Sequence, residues 1–413
     1  MAIDVERIEK NILNSYFSDI LGGTPEDVTK LFKDEHFMYS IYRFFNSERA
    51  KKNLKTRGVH DYAKTEGTLM LDSGGFQYLS KSRQRDELKQ VLDDVASGTK
   101  TLPVLEIEKK RAKLLKLTTD ARVLTAEELV EIYTNAGLQS KDRCISLDLP
   151  PLDLTPPQQS YEMVLKNNEM FLYLRDNLPP SISKRLVPVI HGWDERTINK
   201  SFEVAEGCDL VSIGGFFPVM ATGRWRNLIA KFKIILKLVH DHDGIRFHGL
   251  GANGQCPSHL CWYSGIEQTD SASWRHNARN VKLIFAGIQP GSISIEHNAK
   301  LHLGQTVNWP APWKDEHERA LRECECPVCQ GRNLEERKTV LRLEPDPGFK
   351  LRCIHNMYHF VKEREIAQEL AGSKKYLSYL RRRFKDSIKE TAFLRAIIEA
   401  NSQTNLDQFF KFK

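Results

Sequence analysis

The sequence has 413 residues, of which 40% are hydrophobic and 28% are charged, and these proportions are typical of a globular protein. No stretch approaches the roughly 20 apolar residues that a membrane-spanning helix needs, and the N-terminal MAIDVERIEKNIL is too charged for a signal peptide. We therefore expect a cytoplasmic protein that contacts no membrane. The 61 basic and 54 acidic residues give a net charge of +7, which is compatible with a polyanionic partner.

Short apolar runs alternate with helical patterns along the middle of the chain. The runs that we predict to be strands are Thr68–Leu71, Cys144–Leu147, Leu186–Ile190, Leu210–Ile213 and Arg246–Leu250. Between them, Thr125 and Glu128 form a capping-box pattern that opens a helix ending at Gly137, and Asp194 opens another that ends near Gly207. The repeat predicts an α/β fold, either a closed (β/α)₈ TIM-like barrel or an open doubly wound sheet.

Polar residues and glycines stand where the predicted strands end. These residues are Asp72, Asp148, His191, Gly214, Gly215 and Gly251. In a (β/α)₈ barrel the carboxyl ends of all strands meet at one rim, where the active site is built. A barrel would therefore bring these residues to a single site, although they are far apart in the sequence.

Three regions differ in composition, and we use them to divide the chain. Residues 1–310 form the predicted barrel domain, in which residues 80–120, rich in Lys, Arg, Glu and Leu, are an insertion. Residues 311–365 contain a cysteine cluster and form a predicted metal-binding subdomain, and residues 366–413 form a basic C-terminal helical segment.

Half of the eight cysteines lie within 30 residues of one another near the C-terminus. Cys324, Cys326 and Cys329 place three thiolates on one tight turn, and a fourth ligand would complete a tetrahedral Zn²⁺ site. The residues alone leave Cys353, His355 and His359 open as that ligand. Because four protein ligands leave no position for water, we predict a structural Zn²⁺ rather than a catalytic one.

The segment from Leu71 to Gln77 reads LDSGGFQ and is the most unusual stretch of the chain. Paired glycines after a strand allow backbone N–H groups to approach a ligand closely, and Asp72 at the strand end is suited to acid or base chemistry. By contrast, the residues around Asp270 by themselves suggest an ordinary loop aspartate.

Four motifs, in this order, resemble the tRNA-guanine transglycosylases. They are DSGGFQ from Asp72, SIGG from Ser212, GIEQTDSA around Asp270, and the Cys-x-Cys-x-x-Cys set followed by His355-Asn356. The resemblance covers roughly Gly58 to Asn356. It implies a (β/α)₈ barrel with an inserted zinc subdomain, and it selects His355 as the fourth ligand.

The resemblance also assigns chemical roles. It implies that Asp270 attacks C1′ of the target nucleoside, that guanine leaves, and that an incoming base displaces the enzyme. Asp72 matches the general acid/base, which assists the departing base and deprotonates the next one. Two carboxylates with these roles parallel the retaining glycosidases, which form a covalent sugar intermediate.

A further set of residues matches the family's base-binding pocket. Asp148 matches the residue that reads the N1/N2 edge of the purine, since a carboxylate accepts two donors. Gly214 and Gly215 match a turn whose backbone N–H faces the base carbonyl. The remaining positions assigned to the pocket are Ser73, and Phe76 with Leu250, which would sandwich the ring.

The sequence departs from the tRNA enzymes at a pocket position and after the nucleophile. His191 stands where those enzymes usually carry glutamine, which leaves the identity of the incoming base open. The stretch after Asp270 is closer to the archaeal than to the bacterial enzymes, and Arg275 and Arg279 are placed to hold phosphates beside a flipped nucleotide.

A smaller branch of the superfamily, the DpdA-like proteins, inserts 7-cyano-7-deazaguanine into DNA. The length of this chain after its metal site resembles that branch more than the archaeal enzymes, which carry RNA-binding tails. We therefore expect DNA as the substrate, with tRNA as the alternative. The resemblance also suggests an ATP-dependent partner that opens the duplex, and it leaves the oligomeric state open.

Two other classes of function are compatible with the same motifs. The first is a non-catalytic subunit that only positions nucleic acid, and the presence of both Asp72 and Asp270 argues against it. The second is a glycosidase with water as acceptor, and the purine-reading set argues for base exchange instead.

Overall fold

The computed structural model describes residues 14–19, 26–41, 47–120, 125–151, 155–215, 225–242, 244–252, 254–288, 292–295, 315–343 and 346–411. Within these residues, nine parallel strands form one sheet. They are β1 (Asn14–Asp19), β2 (His36–Ser40), β3 (Leu69–Asp72), β4 (Arg143–Ile145), β5 (Leu186–Val187), β6 (Val189–Ile190), β7 (Leu210–Ile213), β8 (Arg246–Gly249) and β9 (Gln268–Ser271). A separate antiparallel pair consists of β10 (Lys282–Ile284) and β11 (Ser292–Ser294).

The sheet follows the order β5-β4-β3-β2-β1-β9-β8-β7-β6. Its two ends, β5 and β6, are consecutive pieces of one chain segment, and Pro188 separates them. Proline has no N–H to donate, so it interrupts the strand, but its carbonyl still accepts a hydrogen bond from the Ser212 N–H at 2.9 Å. One piece pairs with β4 and the other with β7, so the pairing order returns to the segment where it began. This is the order that a (β/α)₈ barrel requires, and it differs from that of a doubly wound sheet.

One face of the sheet carries a small apolar cluster with side chains from six strands. It consists of Met38, Met70, Ile145, Val187, Val189 and Leu210, with Leu250 packed against it. Side chains from strands this far apart in the pairing order meet only where the sheet curves around them. We call this face the interior face, and the opposite face packs against the helices.

The helices fill the connections between the strands and the C-terminal part of the chain. They are α1 (Glu26–Leu31), α2 (Glu48–Ala63), α3 (Gly75–Ala96), α4 (Val104–Asp120), α5 (Ala126–Asn135), α6 (Pro157–Asn177), α7 (Pro180–Ser183), α8 (Glu195–Phe202), α9 (Trp225–Asp241), α10 (Gln255–Tyr263), α11 (Ser273–Arg279), α12 (Asp315–Arg322), α13 (Leu334–Arg342), α14 (Asp346–Leu370), α15 (Lys374–Phe384) and α16 (Ile388–Lys411). The predicted α/β fold is confirmed. In the part of the chain that is described, no helix is long and apolar enough to cross a membrane.

Two predicted helix starts are confirmed in detail. Thr125 caps α5 through a reciprocal pair of hydrogen bonds with Glu128. Asp194 caps α8 in the same manner, with Thr197 as its counterpart. These caps depend on neighbours within four residues, which is why the sequence alone locates them.

The predicted insertion covers α4 and most of α3, and these two helices pack against each other. Helix α3 begins at Gly75, directly after the Asp72–Gly74 segment, and so a few residues before the predicted boundary at residue 80. Between residues 84 and 114, every side chain that the structure describes is partly or fully exposed. The division of the chain into domains stays a prediction.

One of the contacts between the C-terminal helices and the rest of the chain is centred on a buried carboxylate. Glu363 on α14 accepts hydrogen bonds from His259 of α10 at 2.8 Å, from Tyr379 of α15 at 2.7 Å and from the Gly287 N–H at 2.7 Å, and it pairs with Arg383 at 3.2 Å. Burial by itself raises the pKa of Glu363, but these donors and the Arg383 charge lower it to about 2. The predicted boundary between residues 365 and 366 lies inside α14.

Candidate active site and metal centre

The interior face has a polar layer next to its apolar cluster. Side chains alternate between the two faces of a strand, so Asp72 shares the interior face with Met70, and Ser212 shares it with Leu210. Asp270 and Gln268 share one face of β9 in the same way. Asp72 is partly exposed, whereas Asp270 is buried. Both candidate catalytic carboxylates lie toward the carboxyl ends of their strands, which the sequence predicted for Asp72 but not for Asp270.

Strand β9, which carries Asp270, is a polar strand. Its sequence is QTDS, and all four residues are buried. Strand β1 flanks it on one side and β8 on the other, so its backbone groups are paired in both directions. Asp270 is therefore part of the sheet, and the suggestion of an ordinary loop aspartate from the surrounding residues is wrong.

Two groups, one in the neighbouring strand β8 and one in the loop that follows it, contact the Asp270 carboxylate. The Gly251 N–H donates to Oδ1 at 2.6 Å, and His248 Nε2 lies 3.2 Å from the same oxygen. Gly251 has a φ of +70°, in the left-handed region that glycine adopts at low cost. His248 was not among the site residues predicted from the sequence. It lies within the predicted strand Arg246–Leu250, where alternation places it on the same face as Leu250.

A second group of predicted residues is buried at the strand ends. Asp148 follows β4 and His191 follows β6, and we call these two residues the Asp148–His191 pair. The Ser73 hydroxyl donates to Asp148 Oδ1 at 3.0 Å, and His191 Nε2 lies 3.6 Å from Asp148 Oδ2. Asp148 is 6% exposed and His191 is 1% exposed. Among the described residues, neither ring nitrogen of His191 has a hydrogen-bond partner. Buried polar atoms of this kind are uncommon, and they indicate that a polar ligand or water binds here.

Burial sets the charge state of this pair. It raises the pKa of Asp148 to about 6, against a smaller lowering by the Ser73 hydrogen bond. Burial first, and then the charge of Lys231, lower the pKa of His191 to about 3. Near pH 7 the pocket therefore holds a neutral imidazole beside a carboxylate that is largely ionised.

The backbone around His191 is fixed by α8 and by a glycine. The His191 N–H donates to Ser201 Oγ at 2.9 Å, so α8 holds the end of β6 in place. Gly214 lies against the imidazole, because a Cβ there would be only 2.4 Å from His191 Cε1. Gly215 follows, and a Cβ on it would lie 3.7 Å from His191 Nδ1. Gly214 is thus required by the close approach of His191.

The remaining predicted site residues have different positions. Leu250 is partly buried against the apolar cluster of the interior face. Phe76 lies in α3, and its side chain is outside the described part of the structure. Arg275 on α11 is 8% exposed, whereas Arg279 is exposed and its guanidinium lies 6.0 Å from the centre of the Phe349 ring. Of the two arginines, Arg279 is the one whose side chain reaches the surface.

Cys324, Cys326, Cys329 and His355 form a buried cluster near the C-terminal helices. Their ligand atoms all lie within 4.8 Å of one another, and His355 Nδ1 is 3.5 to 3.7 Å from the three sulfurs. A Zn²⁺ ion with its usual bond lengths to sulfur and nitrogen requires separations of about 3.5 Å between its ligands. The residues therefore fit a tetrahedral metal ion.

The two other candidates for the fourth ligand lie close to this set. Cys353 is buried but is not part of the cluster. His359 Nε2 approaches Cys324 Sγ at 3.3 Å, while its Nδ1 lies 3.3 Å from the Ala286 N–H. The cluster thus contains His355, which the family resemblance selects and the spacing alone does not.

The sequence model of one protein family matches most of the chain. The family is described as queuine tRNA-ribosyltransferase, and the match covers residues 20–388. A comparison with curated proteins gave no match. The matched range contains both candidate carboxylates, the Asp148–His191 pair and the Cys₃His cluster.

Proposed function

Because the chain belongs to the queuine tRNA-ribosyltransferase family, we propose that it exchanges guanine in a nucleic acid for a 7-deazaguanine base through a covalent bond to Asp270. The family indicates a guanine transglycosylase, which is a pentosyltransferase. One observation carries the assignment to these residues. The Asp270 carboxylate and the buried Asp148–His191 pair both lie where parallel strands end, in a sheet whose pairing order returns on itself.

The proposed reaction needs a nucleophile and a proton carrier. A carboxylate oxygen of Asp270 forms a bond to C1′ while the bond from C1′ to N9 of guanine breaks, and the electron pair of that bond leaves with the base. Asp72 supplies the proton that the departing guanine takes up. In the second half, Asp72 removes the N9 proton of the incoming base, N9 attacks C1′, and Asp270 leaves as a carboxylate.

The Asp148–His191 pair is suited to reading a purine. An ionised Asp148 accepts hydrogen bonds from the N1–H and the exocyclic amine of a guanine-like base. The Ser73 hydroxyl donates a further hydrogen bond to Asp148, which fixes the orientation of the carboxylate. His191 is neutral, and neither of its ring nitrogens has a hydrogen-bond partner within the described part of the chain, so it offers one donor and one acceptor. Glutamine, which the tRNA enzymes usually carry here, offers the same two functions with a different shape.

As the nucleic acid we propose DNA, and as the incoming base 7-cyano-7-deazaguanine. The support is the resemblance to the DpdA-like branch, whereas His191 leaves the identity of the incoming base open. The family description names tRNA, and therefore tRNA is the alternative substrate. The proposed nucleic-acid contacts of Arg275 and Arg279 do not distinguish the two, because phosphates are common to both.

We propose that the metal is Zn²⁺ and that its role is structural. Three thiolates and one imidazole occupy all four positions of a tetrahedral ion, so no position is left for water or substrate. The cluster also joins the turn that follows α12 to α14. The metal would thus hold the C-terminal helices together.

The decisive experiment compares labelled bases and three nucleic acids. The protein is incubated with radiolabelled guanine or 7-cyano-7-deazaguanine and with tRNA, single-stranded DNA or duplex DNA. We expect label to enter DNA. Label entering tRNA alone would overturn the DNA proposal, and label entering single-stranded but not duplex DNA would indicate the need for an ATP-dependent partner that opens the duplex.

Two further outcomes would reject base exchange itself. Release of free guanine without uptake of label would indicate a glycosidase that uses water. Binding of nucleic acid without release or uptake, by folded protein with a full metal content, would indicate a subunit that only positions nucleic acid.

A further inference from the structure

The histidine beside Asp270 has no role in the reaction as described so far. His248 is fully buried, and its register partners are Ser212 on β7 and Gln268 on β9. Asp270 lies two residues beyond Gln268 on the same face of β9. It is therefore diagonally opposite His248, at a distance that a side chain as long as histidine can span. The contact between His248 and Asp270 is therefore built into the register of the sheet.

His248 and Gly251 act on the same oxygen of Asp270. Both the Nε2 of His248, at 3.2 Å, and the N–H of Gly251, at 2.6 Å, approach Oδ1. Two donors on one oxygen fix the rotation of a carboxylate about its Cβ–Cγ bond, which also fixes the direction of its other oxygen. Nucleophilic attack is sensitive to such direction, since a misplacement of about 1 Å costs roughly 10²-fold in rate.

We propose that His248 is a positioning residue that orients the Asp270 carboxylate toward C1′. The assignment rests on the proposed function, because it requires Asp270 to be the nucleophile. For His248 to donate to Oδ1, its Nε2 must carry a proton. His248 contacts neither base nor sugar in this proposal and acts through Asp270.

A second buried histidine provides a matched control. His259 is also fully buried and also contacts a carboxylate, with Nε2 2.8 Å from Glu363, but this pair joins α10 to the C-terminal helices. His248→Leu and His259→Leu thus each remove a contact between a buried histidine and a carboxylate. Only the first variant alters the carboxylate that we propose to react.

The test compares His248→Leu, His248→Gln and His259→Leu in steady-state base exchange and in thermal unfolding. Glutamine keeps an N–H donor close to the position of Nε2, and leucine removes it. We expect His248→Leu to lower kcat about 10- to 100-fold with KM values for base and nucleic acid unchanged within about threefold. We expect His248→Gln to recover most of kcat, and His259→Leu to lower the melting temperature without lowering kcat.

Several results would overturn the proposal. An undiminished kcat in His248→Leu would do so, and so would an equal loss of kcat in the leucine and glutamine variants. If the leucine variant does not fold, the glutamine variant provides the test. A kcat more than about threefold below that of the unchanged protein would then overturn the proposal. Absence of exchange by the unchanged protein would instead reject the proposed function, so the two failures are distinguishable.

Discussion

The imidazole Nε2 of His191 lies 3.6 Å from a carboxylate oxygen of Asp148, and both side chains are buried. Burial shifts the two groups in opposite directions, to a pKa of about 6 for Asp148 and about 3 for His191. Above pH 3 the imidazole is therefore mostly neutral, and the carboxylate changes its charge around pH 6. In the proposed role of this pair, recognition of the base therefore depends on pH near 6.

We predict that kcat/KM for the incoming base falls as the pH drops below about 6. Protonated Asp148 loses acceptor capacity for the two donors of a guanine-like base, and its pKa of about 6 sets the midpoint. The measurement is the exchange rate at low base concentration from pH 4.5 to 8. A profile that stays flat through pH 6 would contradict the assignment of Asp148.

We predict that Asp148→Asn stabilises the fold at pH 8 while abolishing exchange. The folded pKa of Asp148, about 6, lies above its ordinary value of 3.8, so its contribution to stability is present below pH 3.8 and is lost as the pH rises through 6. Above that pH the buried charge costs stability, and asparagine removes it. We expect a gain on the order of 1–3 kcal/mol in the free energy of unfolding by denaturant, and the gain should vanish at pH 4.

We predict that Asp270→Asn lowers the rate of base exchange at least about 10³-fold. Asparagine keeps the shape of the side chain and its carbonyl can still accept the Gly251 N–H, but it is a poor nucleophile. Metal content and melting temperature should stay close to those of the unchanged protein. Full activity in a pure Asp270→Ala protein would show that another group attacks C1′.

We predict that Gly214→Ala raises the KM for the base about tenfold or more. The new Cβ would lie 2.4 Å from His191 Cε1 and 2.7 Å from Val189 Cγ1, so the imidazole has to move, at a cost of about 1–3 kcal/mol. Gly244→Ala is the matched control, because its Cβ would meet no atom of the described residues within 4 Å. Equal kinetics in the two variants would show that the position of His191 does not affect the base.

We predict one Zn²⁺ per chain, bound through His355 and not through Cys353. Cys326→Ser should lose the metal and destabilise the C-terminal helices, because the energy of metal binding contributes to folding. Cys353→Ser removes a buried thiol outside the cluster and should keep the metal. Elemental analysis together with circular dichroism checks both variants, and metal loss from Cys353→Ser would reject the assigned ligand set.

Local patterns in the sequence located part of the fold. Strand β7 has the predicted bounds, and the caps at Thr125 and Asp194 are where they were expected. Strand β9 was not recognised, because its sequence QTDS has no apolar alternation. Its backbone is held by neighbours on both sides, and this pairing overrides the preferences of its residues.

The sequence by itself determined the three-cysteine turn, the helix caps and the polar residues at the strand ends, because each depends on residues a few positions apart. Only the tertiary structure decided which residues meet. The strand order returns through the segment that Pro188 interrupts. His191 packs against Gly214, and His248 approaches Asp270. Each of these contacts joins residues from different strands or strand ends. Such contacts follow from the register of the whole sheet, which no local pattern encodes.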